Sequence, residues 1–260
     1  MRLASALLFA VVSVSSAQSN DPFKLFLWER GVGFESPLSS DMRVYLWFYE
    51  WNMFEARREG QHTGGSYDNP KQLSSDGSRS TVGPEDLRLT VDQSGDLRLK
   101  VVNRSGHDWP ELAGVIPCFN PGPEDERNRQ FANTKTYFYG SDGLGRMIKR
   151  EIHFNETLRP LLDRASPRGE FVFSHKWPTS KNDAREGVII RESSDGQWVT
   201  AIAWDDFLSV QGHNPWECMH LCVRVGPLRQ GEERTIKGKV YLFQGTKEDA
   251  LHRYLEDFNR

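Results

Sequence analysis

None of the common catalytic signatures occurs in this chain. Its 260 residues contain no GxSxG elbow, no phosphate-binding glycine loop, no HExxH and no paired CxxC. These absences argue against α/β serine esterases, nucleotide enzymes and the common zinc proteases. They leave open enzymes whose residues come from scattered strands. Cysteine is scarce: Cys118, Cys218 and Cys222 are too few for a disulfide scaffold. On one strand Cys218 and Cys222 would lie ~13 Å apart and could not bridge each other. Cys118 could pair with either, or all three could be small buried thiols. Net charge is small, −3 from 33 Lys+Arg and 36 Asp+Glu. Such a chain lacks the basic face of a sequence-independent nucleic-acid binder, so no nucleic-acid partner is expected.

Long hydrophobic runs are also missing. Met1–Ala17 has Arg2, the mostly apolar run Ala6–Val14, and small residues at Ser15 and Ala17. This pattern predicts a cleaved signal peptide over 1–17. It is shorter than the ~20 residues of a spanning helix. The expectation is a secreted or periplasmic protein with no stable membrane insertion after signal removal. Residues 18–260 then form a single domain, long for a sandwich but within its range.

What is present is a core-sized hydrophobic fraction, 37%, and many aromatics: 8 Trp, 7 Tyr and 15 Phe. Leu87, Leu89 and Val91, then Leu97, Leu99 and Val101, alternate on either side of Gln93-Ser94-Gly95 and predict a hairpin. Similar segments at Val44–Trp51, Gly114–Cys118, Thr134–Tyr139, Leu144–Glu151, Phe171–His175, Gly187–Glu192, Gln197–Trp204, Cys218–Val225 and Thr235–Phe243 read as strands. The fold class is all-β, a large antiparallel β-sandwich with a short C-terminal α-helix. That helix is expected over 247–258, with Thr246 as N-cap and Leu251, Tyr254, Leu255 and Phe258 on its apolar face. A short helix near Asn155–Asp163 would have Pro160 badly placed. Tyr67–Gly83, Pro117–Asn133 and Trp204–Trp216 read as long loops. Asn103-Arg104-Ser105 and Asn155-Glu156-Thr157 fit the N-glycosylation pattern, and Trp109 reads as structural.

Reactive groups are densest in Trp204–Arg224, which holds Asp205, Asp206, His213, Asn214, Trp216, Glu217, His220 and Arg224. Strand alternation puts Trp216, Cys218, His220, Cys222 and Arg224 on one face, opposite Met219, Leu221 and Val223. An imidazole, a guanidinium and an aromatic on one face suit a polar groove: acid–base catalysis, anion neutralisation and sugar stacking. A solvated outer face is the alternative. The alternating Cys218, His220 and Cys222 would need a fourth ligand, Cys118 or His213, to hold zinc; no metal and no cofactor is expected. Tyr45, Trp47, Tyr49 and Trp51 share a strand face and form a ligand platform or a core layer, with Glu50 opposite as a strand-end acid or edge charge. His62, His175 and Trp177 are candidate rim residues.

The segments LRLKVVNRSGHDWP, VQGHNPWECMHLCVRVGPLRQGEERTIKGKVYLF and GTKEDALHRYLEDF resemble uncharacterised secreted bacterial β-sandwich proteins. They are also similar in style to the galactose-mutarotase-like supersandwich of sugar epimerases and polysaccharide lyase domains. The resemblance implies a concave sheet holding a carbohydrate ligand, with a His as acid and a carboxylate as base. By residue type these would be His213 or His220 with Glu217 or Asp205; Trp216, Arg224, Asn214, Trp204, His175, Trp177, His62 and Trp51 would line the substrate. In a lyase, Arg224 or a His would neutralise a uronate. The competing readings are a non-catalytic carbohydrate-binding or cell-envelope module, and a structural protein whose aromatics are core.

Overall fold

The computed structural model describes residues 22–52, 63–64, 69–120, 131, 133–165 and 177–260. The leader, His62, the expected strand at 171–175 with His175, and most of the loop at 117–133 lie outside these residues, as does the side chain of Trp51.

Alternating apolar residues build two antiparallel sheets. The first contains β1 (Lys24–Trp28), β2 (Gly31–Ser36), β3 (Ser39–Asn52), β4 (Thr63–Gly64), β9 (Gly114–Phe119), β12 (His153–Phe154), β15 (Phe207–Gln211) and β16 (Met219–Arg224). The second contains β5 (Lys71–Leu73), β6 (Arg79–Val82), β7 (Leu87–Asp92), β8 (Asp96–Val102), β10 (Thr136–Gly140), β11 (Gly143–Arg146), β13 (Val188–Glu192), β14 (Trp198–Trp204) and β17 (Glu233–Gln244). The first sheet runs β1-β2-β3-β9-β16-β15-β12, with β4 beside β3. The second runs β11-β10-β13-β14-β17-β8-β7-β6-β5.

The sheets pack face to face. Val32, Phe34, Val44, Leu46, Phe48, Leu221 and Val223 of the first meet Leu89, Leu99, Ile189, Ile202, Val240 and Leu242 of the second in one core. The predicted hairpin forms between β7 and β8, where Gly95 turns the chain at φ +88°. Two helices cover parts of the outer faces. α1 (Arg159–Ala165), with Leu158 in the turn before it, closes Leu158 and Leu162 over Phe154, Leu208 and Cys222. α2 (Lys247–Asp257) lays Ala250 and Tyr254 on Val188, Ile190, Ala201 and Tyr241. Thr246 and Asp249 form a capping box at its start.

Several expectations are corrected. The stretch read as a loop at 204–216 contains β15, after a turn at Asp205-Asp206. All five residues of that strand are buried, so its sequence lacks the polar alternation that marks a half-buried strand. The loop at 67–83 contains edge strands β5 and β6. Pro160 falls in the first turn of α1, where no intrahelical N–H is needed. Both glycosylation patterns are structural: Asn103 donates to the carbonyls of His107 and Leu228, and Asn155 to that of Phe207. Both side chains are buried. Trp109 is a core residue whose indole donates to Ser105.

A buried histidine links β12 to the loop before β13. His153 Nδ1 lies 2.7 Å from the Asn182 carbonyl, so Nδ1 carries the proton, and the ring stacks on Phe138 at 3.8 Å. Burial pushes its pKa below the ordinary 6.5, against the hydrogen bond to Asn182 and the nearby charge of Glu151. The unfolded chain therefore binds the proton more readily. This contribution to stability is present above the unfolded value of 6.5 and is lost as pH falls from there through the lower folded value. Chemical denaturation at pH 7.5 and pH 5 should show a smaller loss for His153→Gln than for the wild type.

Candidate functional site

One row of residues crosses the first sheet and carries the site. Trp28 pairs with Gly31, Gly31 with Trp47, Trp47 with Cys118, Cys118 with His220 and His220 with Gln211. Residues paired across strands share a face, and this row lies on the face away from the second sheet. Its inward neighbours, Val32, Leu46, Phe119 and Leu221, are core. Gly31 makes the row possible, because a Cβ there would lie 1.8 Å from the Leu46 carbonyl oxygen. Across it Trp28 and Trp47 stack at 5.5 Å and 15°. The Arg30 guanidinium sits 4.4 Å from the Trp47 ring centre, a cation–π contact.

Glu50 joins this face through a bulge. Between Trp47 and Trp51, β3 advances four residues while β9 moves only from Cys118 to Ile116. The extra residues break the two-residue period and re-aim the following side chains. Phe48 enters the core, Tyr49 packs against it, and Glu50 Oε2 approaches His220 Nε2 to 2.8 Å. His220 Nε2 also lies 3.2 Å from Cys118 Sγ. Cys218, just before β16, completes the group: ligand atoms of Cys118, Cys218 and His220 lie within 4.8 Å of one another.

These groups set each other's charges. Burial works against an imidazolium at His220, but hydrogen bonds and charges from Cys218 and Glu50 outweigh it and raise its pKa to about 10. Burial would likewise raise Glu50, yet His220, Cys118 and Arg30 bring it down to about 2. The Cys118 hydrogen bond lowers the Cys218 pKa, with His220 adding to the effect. Burial raises that of Cys118, which keeps its proton. At neutral pH the site holds an imidazolium between a carboxylate and a thiolate.

Two buried residues hold the loop that delivers Cys218. Asn214 donates to the Gln211 side chain and the Cys218 carbonyl, and accepts from the backbone N–H groups of Trp216 and Cys218. Arg191, fully buried on β13, donates to Thr136 Oγ1 at 2.7 Å, the Glu217 carbonyl at 2.6 Å and the Gly212 carbonyl at 2.8 Å. Burial lowers its pKa to about 10, so it stays charged behind the thiols.

The predicted residues separate into groups. His220 is at the centre of the cluster. Trp216, 44% exposed, meets Trp177 edge to face at 6.2 Å, which brings two candidate ligand-contacting rings together. His213 and Glu217 lie on the same loop, and Glu217 adopts φ +56°. Neither belongs to the cluster of Cys118, Cys218 and His220. Asn214 is buried as a loop anchor and not displayed to a ligand. Trp204 is fully buried in the core between the sheets. Asp205 accepts from the Lys237 N–H in the β14–β15 turn, away from His220. Arg224 is held by Glu111 and Asp206, and Arg234 also binds Asp206. Cys222 turns into the apolar cluster beneath α1, away from the other thiols. Val44, Leu46 and Phe48 are the core face of β3, while Tyr45 and Trp47 face outward and pack on Trp28. Sequence reasoning missed Trp28, Arg30 and Arg191. It placed Glu50 on the wrong face, since alternation carries no mark of a bulge. A separate cleft, lined by Phe23, Leu38, Lys239, Tyr241, Arg253 and Asp257 among others, contains none of the cluster.

Fold and site together define a large antiparallel β-sandwich with a charged cluster and aromatic rings on the outer face of one sheet. Comparable solved structures include a galactose mutarotase-like protein from Lactobacillus casei, at 12% identity, TM-score 0.43, over 86% of this chain and 98% of that one. A polysaccharide lyase matches at 11% identity and TM-score 0.42, over 91% of this chain and 34% of its own, so the chain spans about a third of that protein's length. A candidate aldose 1-epimerase from Escherichia coli matches at 10% identity and TM-score 0.28, over 86% of this chain and 69% of that one. These likenesses concern the fold. No family model and no curated protein matches the chain.

Arg191 is the main support of the loop. Replacing it with Met leaves the carbonyls of Gly212 and Glu217 without their buried donor, at a cost of about 3 kcal/mol. Arg191→Lys keeps the charge but not the fork, and should recover less than half of this. Urea unfolding of both variants measures it.

Proposed function

We propose that the protein recognises a carbohydrate on the outer face of the first sheet and acts on it by acid–base chemistry at Glu50 and His220. The observation that carries this reading is the 2.8 Å approach of Glu50 Oε2 to His220 Nε2 on a face that also presents tryptophan rings. A protonated His220 is the acid and an ionised Glu50 the base. A sugar hydroxyl entering between them would weaken their mutual stabilisation. Both pKa values would then move toward neutrality, where proton transfer is efficient. Trp216 and Trp177 offer an apolar surface for a sugar ring. The substrate that fits is a neutral sugar, because Arg224, the candidate uronate partner, is already engaged by Glu111 and Asp206. With the leader removed, the protein would work outside the cytoplasm.

A non-catalytic sugar-binding module is the second reading. It is favoured by the closed state of the Glu50–His220 pair, in which the two charges already satisfy each other.

The test is a panel of free aldoses and neutral polysaccharides, followed by NMR for epimerisation or cleavage and by glycan binding. On a turned-over sugar, Glu50→Gln and His220→Gln should each lower kcat by about 100-fold or more, with unchanged circular dichroism. Binding without turnover, retained in both variants and lost in Trp216→Ala, selects the binding module. Neither binding nor turnover across the panel rejects both.

A further inference from the structure

The sugar reading leaves two thiols unused. Cys118 and Cys218 come from β9 and from the loop before β16, a hundred residues apart in sequence. They meet with His220 in a group whose ligand atoms all lie within 4.8 Å of one another. A tetrahedral zinc ion sets sulfur–sulfur separations of ~3.8 Å and sulfur–nitrogen separations of ~3.5 Å. The 3.2 Å between His220 Nε2 and Cys118 Sγ needs only a few tenths of an ångström of opening. A fourth donor stands beside the group. Glu50 lies outside it, with its buried Oε2 2.8 Å from His220 Nε2, and a turn of that side chain toward the sulfurs would bring it to a bound ion.

We propose that Cys118, Cys218, His220 and Glu50 form a tetrahedral binding site for a thiophilic divalent cation of the zinc class. Thiolate and imidazole together favour zinc over magnesium or calcium, which prefer all-oxygen sites. On binding, Cys118 loses its proton to solvent and the imidazolium gives up one, while Cys218 is already a thiolate, so two thiolates, one carboxylate and a neutral imidazole surround the dication. That set carries one net negative charge, and buried Arg191 and neighbouring Arg30 lie where they offset it. The site differs from a simple strand motif: Cys222 is directed into the apolar cluster under α1 and is not a ligand.

This inference stands apart from the sugar reading, because it concerns binding and is read without turnover. Both use His220 and Glu50, so the proposed acid–base activity belongs to the metal-free protein.

The experiment is titration of the reduced, metal-stripped full chain with cobalt(II), followed by displacement with zinc. The expected result is one equivalent bound, with a thiolate-to-cobalt charge-transfer band and the intense visible bands of tetrahedral cobalt. Cys118→Ser and Cys218→Ser should each weaken zinc binding at least 100-fold in competition with a chromophoric chelator. Cys222→Ser should leave affinity and spectrum unchanged, and Glu50→Gln should keep the sulfur band with weaker binding. Thermal unfolding of each variant identifies any that fail to fold. If Cys118→Ser fails, Cys118→Ala and the Cys218→Ser spectrum carry the test. Absence of the sulfur band in reduced wild-type protein overturns the proposal, as does equal loss in Cys222→Ser.

Discussion

The buried guanidinium of Arg191 is the contact on which the rest of the site depends. It starts on the second sheet and holds Thr136 of that sheet together with Gly212 and Glu217 of the β15–β16 connection of the first in one fork. A charge with no exposed surface is costly unless its donors are used, and among the described residues no carboxylate shares these bonds. The carbonyls it binds belong to the segment between β15 and β16, so the cost of burying the charge is offset only when that segment is folded back. Asn214 then fixes the finer geometry, with its side chain bonded to backbone at both Trp216 and Cys218. Cys218 and Trp216 are thus held by buried polar contacts, although they lie on a connection and not on a strand.

A second constraint is the irregularity in β3. A regular strand would send Glu50 to the face opposite Trp47. The extra residues between Trp47 and Trp51 let Phe48 and Tyr49 serve the core while Glu50 returns to the outer face. Without this break, His220 would face two thiols and no carboxylate. The imidazolium would then lose its carboxylate partner, and the charges of the cluster would no longer balance.

Most of the fold was legible because it rests on period-two burial. Leu87, Leu89 and Val91 face the core as their spacing says, and so do Met219, Leu221 and Val223. The strand β15 was not legible, since burial on both faces removes the polar residues that mark alternation. The site was readable in part. His220 stood out through its place between core residues, and the same alternation grouped it with Cys218. That rule also grouped it with Cys222 and Arg224, which share the face but are claimed by α1 and by Glu111. Face membership follows from local sequence. What covers the face does not, because α1 and the β9 thiol arrive from distant segments. Arg191 was invisible for the same reason: an arginine in a strand of Val, Ile and Ile gives no sign that its partners are two carbonyls more than twenty residues away.

The outer face of the first sheet is only partly covered. α1 seals its β12–β15–β16 side with apolar side chains, while on the β1–β2–β3 side Trp28, Tyr45 and Trp47 cover one another. His220 and Glu50 sit between these two patches, where solvent reaches them in part. Charges in such a position interact more strongly than at an open surface and can still exchange partners. In the free protein the exchange is internal: imidazolium with carboxylate and thiolate, and guanidinium with carbonyl. A ligand that enters must offer equivalent partners. A sugar brings hydroxyls that donate to Glu50 and accept from His220, whereas a thiophilic cation replaces the protons that now hold the group together. Either ligand would have to meet the same requirement, that no charge in this half-buried row be left without an opposite or a donor.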